Sequence, residues 1–156
     1  MEKFDAKKTA NVWDRVVASG QPEALPVEGM LMQLWENAVT FLHLSKRVQG
    51  PRSVQLHKLY QQAQQSADCL KGICVLVNGN RPALGNKLPG RETVEGALRG
   101  CYGRSMRLLA QLESHSQHKE YGPVFTRLAA IQQEQCRQVL ELLGSQELRV
   151  KAGKGK

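Results

Sequence analysis

Leu56-His57-Lys58-Leu59-Tyr60-Gln61-Gln62-Ala63-Gln64-Gln65-Ser66-Ala67-Asp68-Cys69-Leu70-Lys71-Gly72-Ile73-Cys74 decides the architecture of this chain. Leu56, Leu59, Tyr60, Ala63, Ser66, Ala67, Leu70, Ile73 and Cys74 recur at steps of three and four, the interval that keeps side chains on one face of an α-helix. Gly50-Pro51 precedes the segment and Asn78-Gly79-Asn80 closes it, so a long helix starts near Arg52 or Ser53. Sliding the chain by 69 residues sets Leu56 on Phe125, Leu59 on Leu128, Ala63 on Gln132, Ser66 on Gln135 and Leu70 on Val139. Apolar positions stay apolar, and Gly122-Pro123 repeats Gly50-Pro51. Two equivalent helical hairpins follow.

Their partners are read in the same way. A helix from about Glu28 to Val48 carries Leu31, Leu34, Trp35, Ala38, Phe41, Leu42 and Ser45 inward. A third begins near Thr93, a good N-cap residue, and carries Ala97, Leu98, Cys101, Tyr102, Ser105, Leu108, Leu109 and Leu112 up to the polar stretch Ser114 to Lys119. The fourth runs from about Tyr121 to Leu143, with Val124, Phe125, Leu128, Ile131, Gln132, Gln135, Val139 and Leu142 inward and Gly144 as its stop. Residues 78–92, broken by Asn80-Arg81-Pro82 and Pro89-Gly90, form a crossover longer than an ordinary helix-helix turn. Ahead of the bundle, Thr9 to Ser19 is a short amphipathic helix with Val12, Trp13, Val16 and Val17 on one stripe. The expectation is an all-α antiparallel four-helix bundle of two hairpins joined by a long crossover. Its parts are an N-terminal arm (1–29), the bundle (30–144) and a basic tail (145–156).

Composition narrows the function classes. There is no apolar run of about 18 residues, and Met1-Glu2-Lys3-Phe4-Asp5 is charged where a signal peptide is apolar; a cytoplasmic protein without a membrane span is expected. Cys69, Cys74, Cys101 and Cys136 match no zinc or CxxC spacing and read as small buried apolar residues. The formal charge is +8. Arg149, Lys151, Lys154 and Lys156 of the tail supply part of it, and such a surface attracts phosphates or acidic proteins.

Candidate chemistry is sparse. His115-Ser116-Gln117-His118 is the most suggestive metal-chelating pair, but it has no neighbouring Cys or third His and reads as an exposed helix end. The acids of the bundle, among them Glu36, Glu134 and Glu141, form no inward pair and read as solvated helix-face charges. Gly96, Gly100 and Gly103 lie within a helix and lack the strand that a phosphate loop requires, so they read as sites of close helix approach.

Five stretches carry a family resemblance: Phe41-Leu42-His43-Leu44-Ser45-Lys46-Arg47-Val48-Gln49-Gly50, Ala67-Asp68-Cys69-Leu70-Lys71-Gly72-Ile73, Cys101-Tyr102-Gly103-Arg104, Glu120-Tyr121-Gly122-Pro123-Val124-Phe125 and Cys136-Arg137-Gln138-Val139-Leu140-Glu141-Leu142-Leu143-Gly144. Together they resemble the ferritin-like domains related to rubrerythrin, over about residues 28–144. The resemblance implies a bundle with one long crossover, often a homodimer, with iron or manganese at its centre. Its metal ligands do not carry over. The Glu-x-x-His of the second helix falls on Ala63 and Ser66, and that of the fourth on Gln132 and Gln135. The third-helix Glu falls on Ser105. The first-helix Glu, counted back from Phe41, falls on Leu34, with Trp35 or Glu36 reached by a shift of one or two.

Hard divalent cations need several anionic oxygens, which amides and a hydroxyl do not replace. No cofactor is therefore expected. The neutral residues either form a polar network, or face a small cavity or an oligomer interface. The leading expectation is a non-catalytic bundle with a structural or partner-binding role. The alternatives are a basic bundle that associates with nucleic acid through its lysine tail, and a residual iron- or manganese-binding oxidoreductase.

Overall fold

The described residues, 25–79, 82, 84 and 92–144 of a computed structural model, form four helices and no strand. These are α1 (Val27–Ser45), α2 (Pro51–Asn78), α3 (Val94–Ser114) and α4 (Gly122–Leu143). The expected short helix at Thr9–Ser19 and the basic tail lie outside the described residues. None of the helices is long and apolar enough to cross a membrane.

Local chemistry sets the helix ends. Gly50 turns the chain at φ 74, a left-handed conformation that favours glycine, and Pro51 then enters the first turn of α2, where a missing N–H costs nothing. Gly79 ends α2 at φ 82, its N–H donating to the Val75 carbonyl at 2.8 Å. The Thr93 hydroxyl accepts from the Gly96 amide at 2.9 Å, capping α3 as its position predicts. The first helix stops at Ser45 rather than Val48. There the Lys46 and Arg47 amides tighten onto the His43 and Leu44 carbonyls, and the Ser53 hydroxyl donates to the Ser45 carbonyl at 2.6 Å. Val48 is still buried, as the hairpin folds it back onto the core.

The α3–α4 turn is held by an unexpected cap. His118 Nδ1 accepts from the Glu120 and Tyr121 amides at 3.1 and 3.0 Å, and its ring stacks on Tyr121. Two amides ahead of α4 thereby find an acceptor, which requires the neutral Nε2–H tautomer. His118→Ala should cost about 1 kcal/mol, the usual scale of a lost cap, and His118→Asn should recover part of it, as measured by urea unfolding.

Hydrogen bonds between the hairpins define the topology. Gln33 bonds Gln111, Asn37 bonds Ser105, and Arg47 bonds the Glu92 carbonyl, so α1 and α3 run antiparallel. Gln135 reaches the Leu59 carbonyl and Arg127 reaches Cys69, so α2 and α4 run antiparallel as well. Helices α2 and α3 therefore point the same way, and the chain between them joins opposite ends of the bundle. The core between the four helices is built from Met30, Leu31, Leu34, Phe41, Leu44, Leu56, Leu59, Leu70, Leu98, Leu108, Leu112 and Phe125, all nearly or fully buried. Removing this apolar surface from water is the main stabilising term.

Glycines within α3 do not mark close helix approach, contrary to the expectation. A Cβ on Gly100 or Gly103 would have only the side chain of Arg104 or Arg107, from the same helix, within 4 Å. At 3.6 Å or more these are ordinary van der Waals distances, so neither packing nor space requires glycine at either position.

Candidate functional site: a neutral polar layer

Halfway along the bundle the apolar core is interrupted. Asn37, Ser66, Ser105, Gln132 and Gln135 are all at most 3% exposed, so each polar group must be matched or leave a cost. Helices α1 and α3 supply one half of the layer. Asn37 Nδ2 donates to Ser105 Oγ at 3.0 Å, and Asn37 Oδ1 accepts from Arg104 Nε at 2.8 Å. The Arg104 guanidinium also donates toward Cys101 Sγ at 3.6 Å and lies 4.0 Å from the Glu36 carboxylate, closing the layer toward solvent.

Helices α2 and α4 supply the other half. Gln132 Nε2 donates to Gln135 Oε1 at 3.2 Å, and Gln135 Nε2 donates to the Leu59 carbonyl at 3.3 Å and Gln62 Oε1 at 3.4 Å. Ser66 Oγ and Gln132 Oε1 are buried without a protein partner.

Of the positions singled out from sequence, Ser66, Ser105, Gln132 and Gln135 stand in this layer. Ala63 is fully buried beside them as part of the apolar core. Leu34 is likewise fully buried core, and the polar α1 residue of the layer is Asn37, which had no assigned role. Glu36 is half-buried at the edge of the layer. A shift like that relating α2 and α4 points to Asn37: Asn37 and Ser105 are 68 residues apart, and the same shift sets Leu44 on Leu112. Arg149, Lys151, Lys154 and Lys156 lie outside the described residues.

The layer's chemistry is that of neutral donors and acceptors plus one guanidinium. Among the described residues no group of three or more His, Cys, Asp or Glu is arranged to hold a metal ion. His118 uses Nδ1 as a helix cap, so it does not form a chelating pair with His115 through that atom. Glu134 is exposed on the outer face of α4, where bonds from Arg137 and Gln138 hold its carboxyl at about 2, well below the ordinary range.

Burial pushes the Cys101 thiol up from 9.0 to about 11, with Arg104 offsetting only part of the effect. The neutral thiol is the form present at pH 7, and it is a weak nucleophile and a poor metal ligand. Burial thus raises the pH at which this thiol ionises from its ordinary 9.0 in the unfolded chain to about 11 in the folded one. Between these values the unfolded state binds fewer protons, so stability falls as pH rises through that window and is unaffected by this group below it. The loss should approach about 2–3 kcal/mol. It is measured as the difference in alkaline unfolding between the native chain and Cys101→Ala.

Cys74 and Cys136 are buried, Cys69 is half-buried, and all four cysteines are free thiols. Compared with known proteins, the chain matches no protein-family model, and no curated protein or solved structure is significantly similar to it.

Proposed function

We propose that this chain is a ferritin-like bundle that has lost its di-metal site and acts without catalysis, as a structural or partner-binding protein. The observation that carries the reading is the chemistry of the central layer. At the level where a di-metal bundle projects four carboxylates and two imidazoles inward, this chain projects Asn37, Ser66, Ser105, Gln132 and Gln135. Glu36 at the edge of that level has the guanidinium of Arg104 beside it. The one carboxylate near the layer thus lies next to a cation that the chain itself supplies.

Connectivity supports the same reading. Antiparallel α1–α3 and α2–α4 pairs with a single crossover between parallel α2 and α3 are the arrangement that ferritin-like bundles use. A homodimer is the assembly this reading implies.

The test is metal content. Protein purified from cells supplied with iron and manganese, then dialysed, should carry far less than one metal ion per chain by inductively coupled plasma analysis. Stoichiometric iron or manganese would overturn the proposal.

A further inference from the structure

Between α1 and α2, at the end of the bundle where the first hairpin turns, runs a groove of ≈ 490 Å³ lined only by residues of α1, its C-cap and α2. Leu42 and Val54 give it an apolar surface, and Lys46 and Lys58 give it two cations. Val54 is 57% exposed and Leu42 half-buried, so the apolar pair meets water. The two serine hydroxyls of the lining are engaged within the hairpin, Ser45 Oγ donating to the Leu42 carbonyl at 2.7 Å and Ser53 Oγ to the Ser45 carbonyl. The charged donors are the lysines. Both are exposed, and neither has an ion-pair partner among the described residues.

The surrounding sequence supplies no counter-charge. From Asn37 to Ala67 the chain carries Lys46, Arg47, Arg52 and Lys58 and not one Asp or Glu. The acids that bracket this stretch already have cations beside them, Glu36 lying 4.0 Å from Arg104 and Asp68 3.6 Å from Lys71. Residues 92–144, by contrast, hold six bases and six acids, with Arg99 and Arg137 paired along their own helices. The uncompensated charge of the bundle therefore gathers on one hairpin, around an open apolar pair.

We propose that this groove binds an acidic amphipathic helix of a partner protein, whose apolar side chains cover Leu42 and Val54 while its carboxylates approach Lys46 and Lys58. The inference rests on the partner-binding half of the reading above and names the chemistry of the partner. A groove between two helices accepts the apolar face of a third, and the lining from Ser53 to Gln61 rises ~12 Å along α2, room for about two helical turns. Complementary charge then sets the orientation. A phosphate backbone would meet the ammonium groups and leave Leu42 and Val54 in water, whereas a purely apolar helix would cover that pair and leave both cations unmatched. A helix with leucine-like anchors flanked by carboxylates satisfies both.

The probe is a fluorescein-labelled helical peptide of ~18 residues built from leucine, alanine and glutamate, with leucines on one face and glutamates beside them, titrated with the full chain by fluorescence anisotropy. The expected result is saturable binding, weakened by salt and about tenfold tighter than that of a scrambled peptide of the same composition. Val54→Gln and Lys46→Gln/Lys58→Gln, all at exposed positions, should each weaken it about tenfold with the helical circular dichroism unchanged. Leu140→Gln, at an exposed apolar position of α4, should leave it as it was. Absence of saturable binding, equal binding of the scrambled peptide, or an equal loss in Leu140→Gln would overturn the proposal. So would single-stranded DNA that displaces the peptide at lower concentration than unlabelled peptide does, or self-association of the chain abolished by Val54→Gln, which would assign the groove to nucleic acid or to a second copy. Metal content keeps the two readings apart: a metal-laden chain that binds the peptide overturns the earlier one alone, and a metal-free chain that fails to bind it overturns this one alone.

Discussion

Gly122→Ala is expected to lower the free energy of unfolding by about 2–4 kcal/mol, with the urea m-value unchanged. A Cβ on Gly122 would fall 2.4 Å from the Ser116 carbonyl oxygen and 3.1 Å from its carbon. Both are backbone atoms of the α3–α4 turn, so no rotamer change relieves the overlap and the turn itself must move. That movement would disturb His118, whose imidazole accepts the Glu120 and Tyr121 amides, and the Gly122 amide that donates to the His118 carbonyl at 2.9 Å. The control is Gly72→Ala, where the added methyl meets nothing within 4 Å and helix propensity improves; it should be neutral or slightly stabilising. Similar losses in both variants would show that the close approach at Gly122 is not what the residue provides.

Asn37→Leu should cost about 2–4 kcal/mol although it exchanges one side chain for another of similar size. The substitution strips Arg104 Nε of its acceptor and Ser105 Oγ of its donor in a seam where Asn37 and Ser105 are fully buried. Arg104→Met should be costly in turn, because Asn37 Oδ1 then loses its donor. In Asn37→Leu/Arg104→Met the two losses should not add, with a coupling of about 1–2 kcal/mol recovered in a double-mutant cycle. Additivity within about 0.5 kcal/mol would mean that the Asn37–Arg104 contact contributes little and that the layer is no network.

The inward stripes of α2, α3 and α4 were legible because small and apolar residues recur at helical spacing against a polar background. The Gly-Pro pairs marked helix starts correctly, yet for different physical reasons. Gly50 is needed for its left-handed backbone, whereas Gly122 is needed for the space above its Cα. The two roles share one sequence signature and differ only in the folded chain.

In α1 apolar residues occupy several faces, and Asn37 is a polar member of the buried series Met30, Leu34, Asn37, Phe41 and Leu44, so a count of seven back from Phe41 reaches Leu34 instead. The shared spacing of Asn37–Leu44 and Ser105–Leu112 would have found it. Arg104 was illegible for another reason: a long cationic side chain reads as surface, and its route back to Asn37 depends on the adjoining helix. The role of His118 was equally hidden, since a two-amide cap has no sequence period.

The seam between the hairpins also has a mechanical consequence. Gln33–Gln111, Asn37–Ser105 and Arg47–Glu92 cross it at three heights, with Gln135–Leu59 on the opposite side. Leu25 and Gly144 stand at opposite ends of the bundle, so tension applied between them loads these bonds in parallel, as shear, rather than one after another. Sliding by a single helical turn, about 5.4 Å, would have to break all of them at once. The molecule is built to resist being drawn out lengthwise far better than being peeled open from one end.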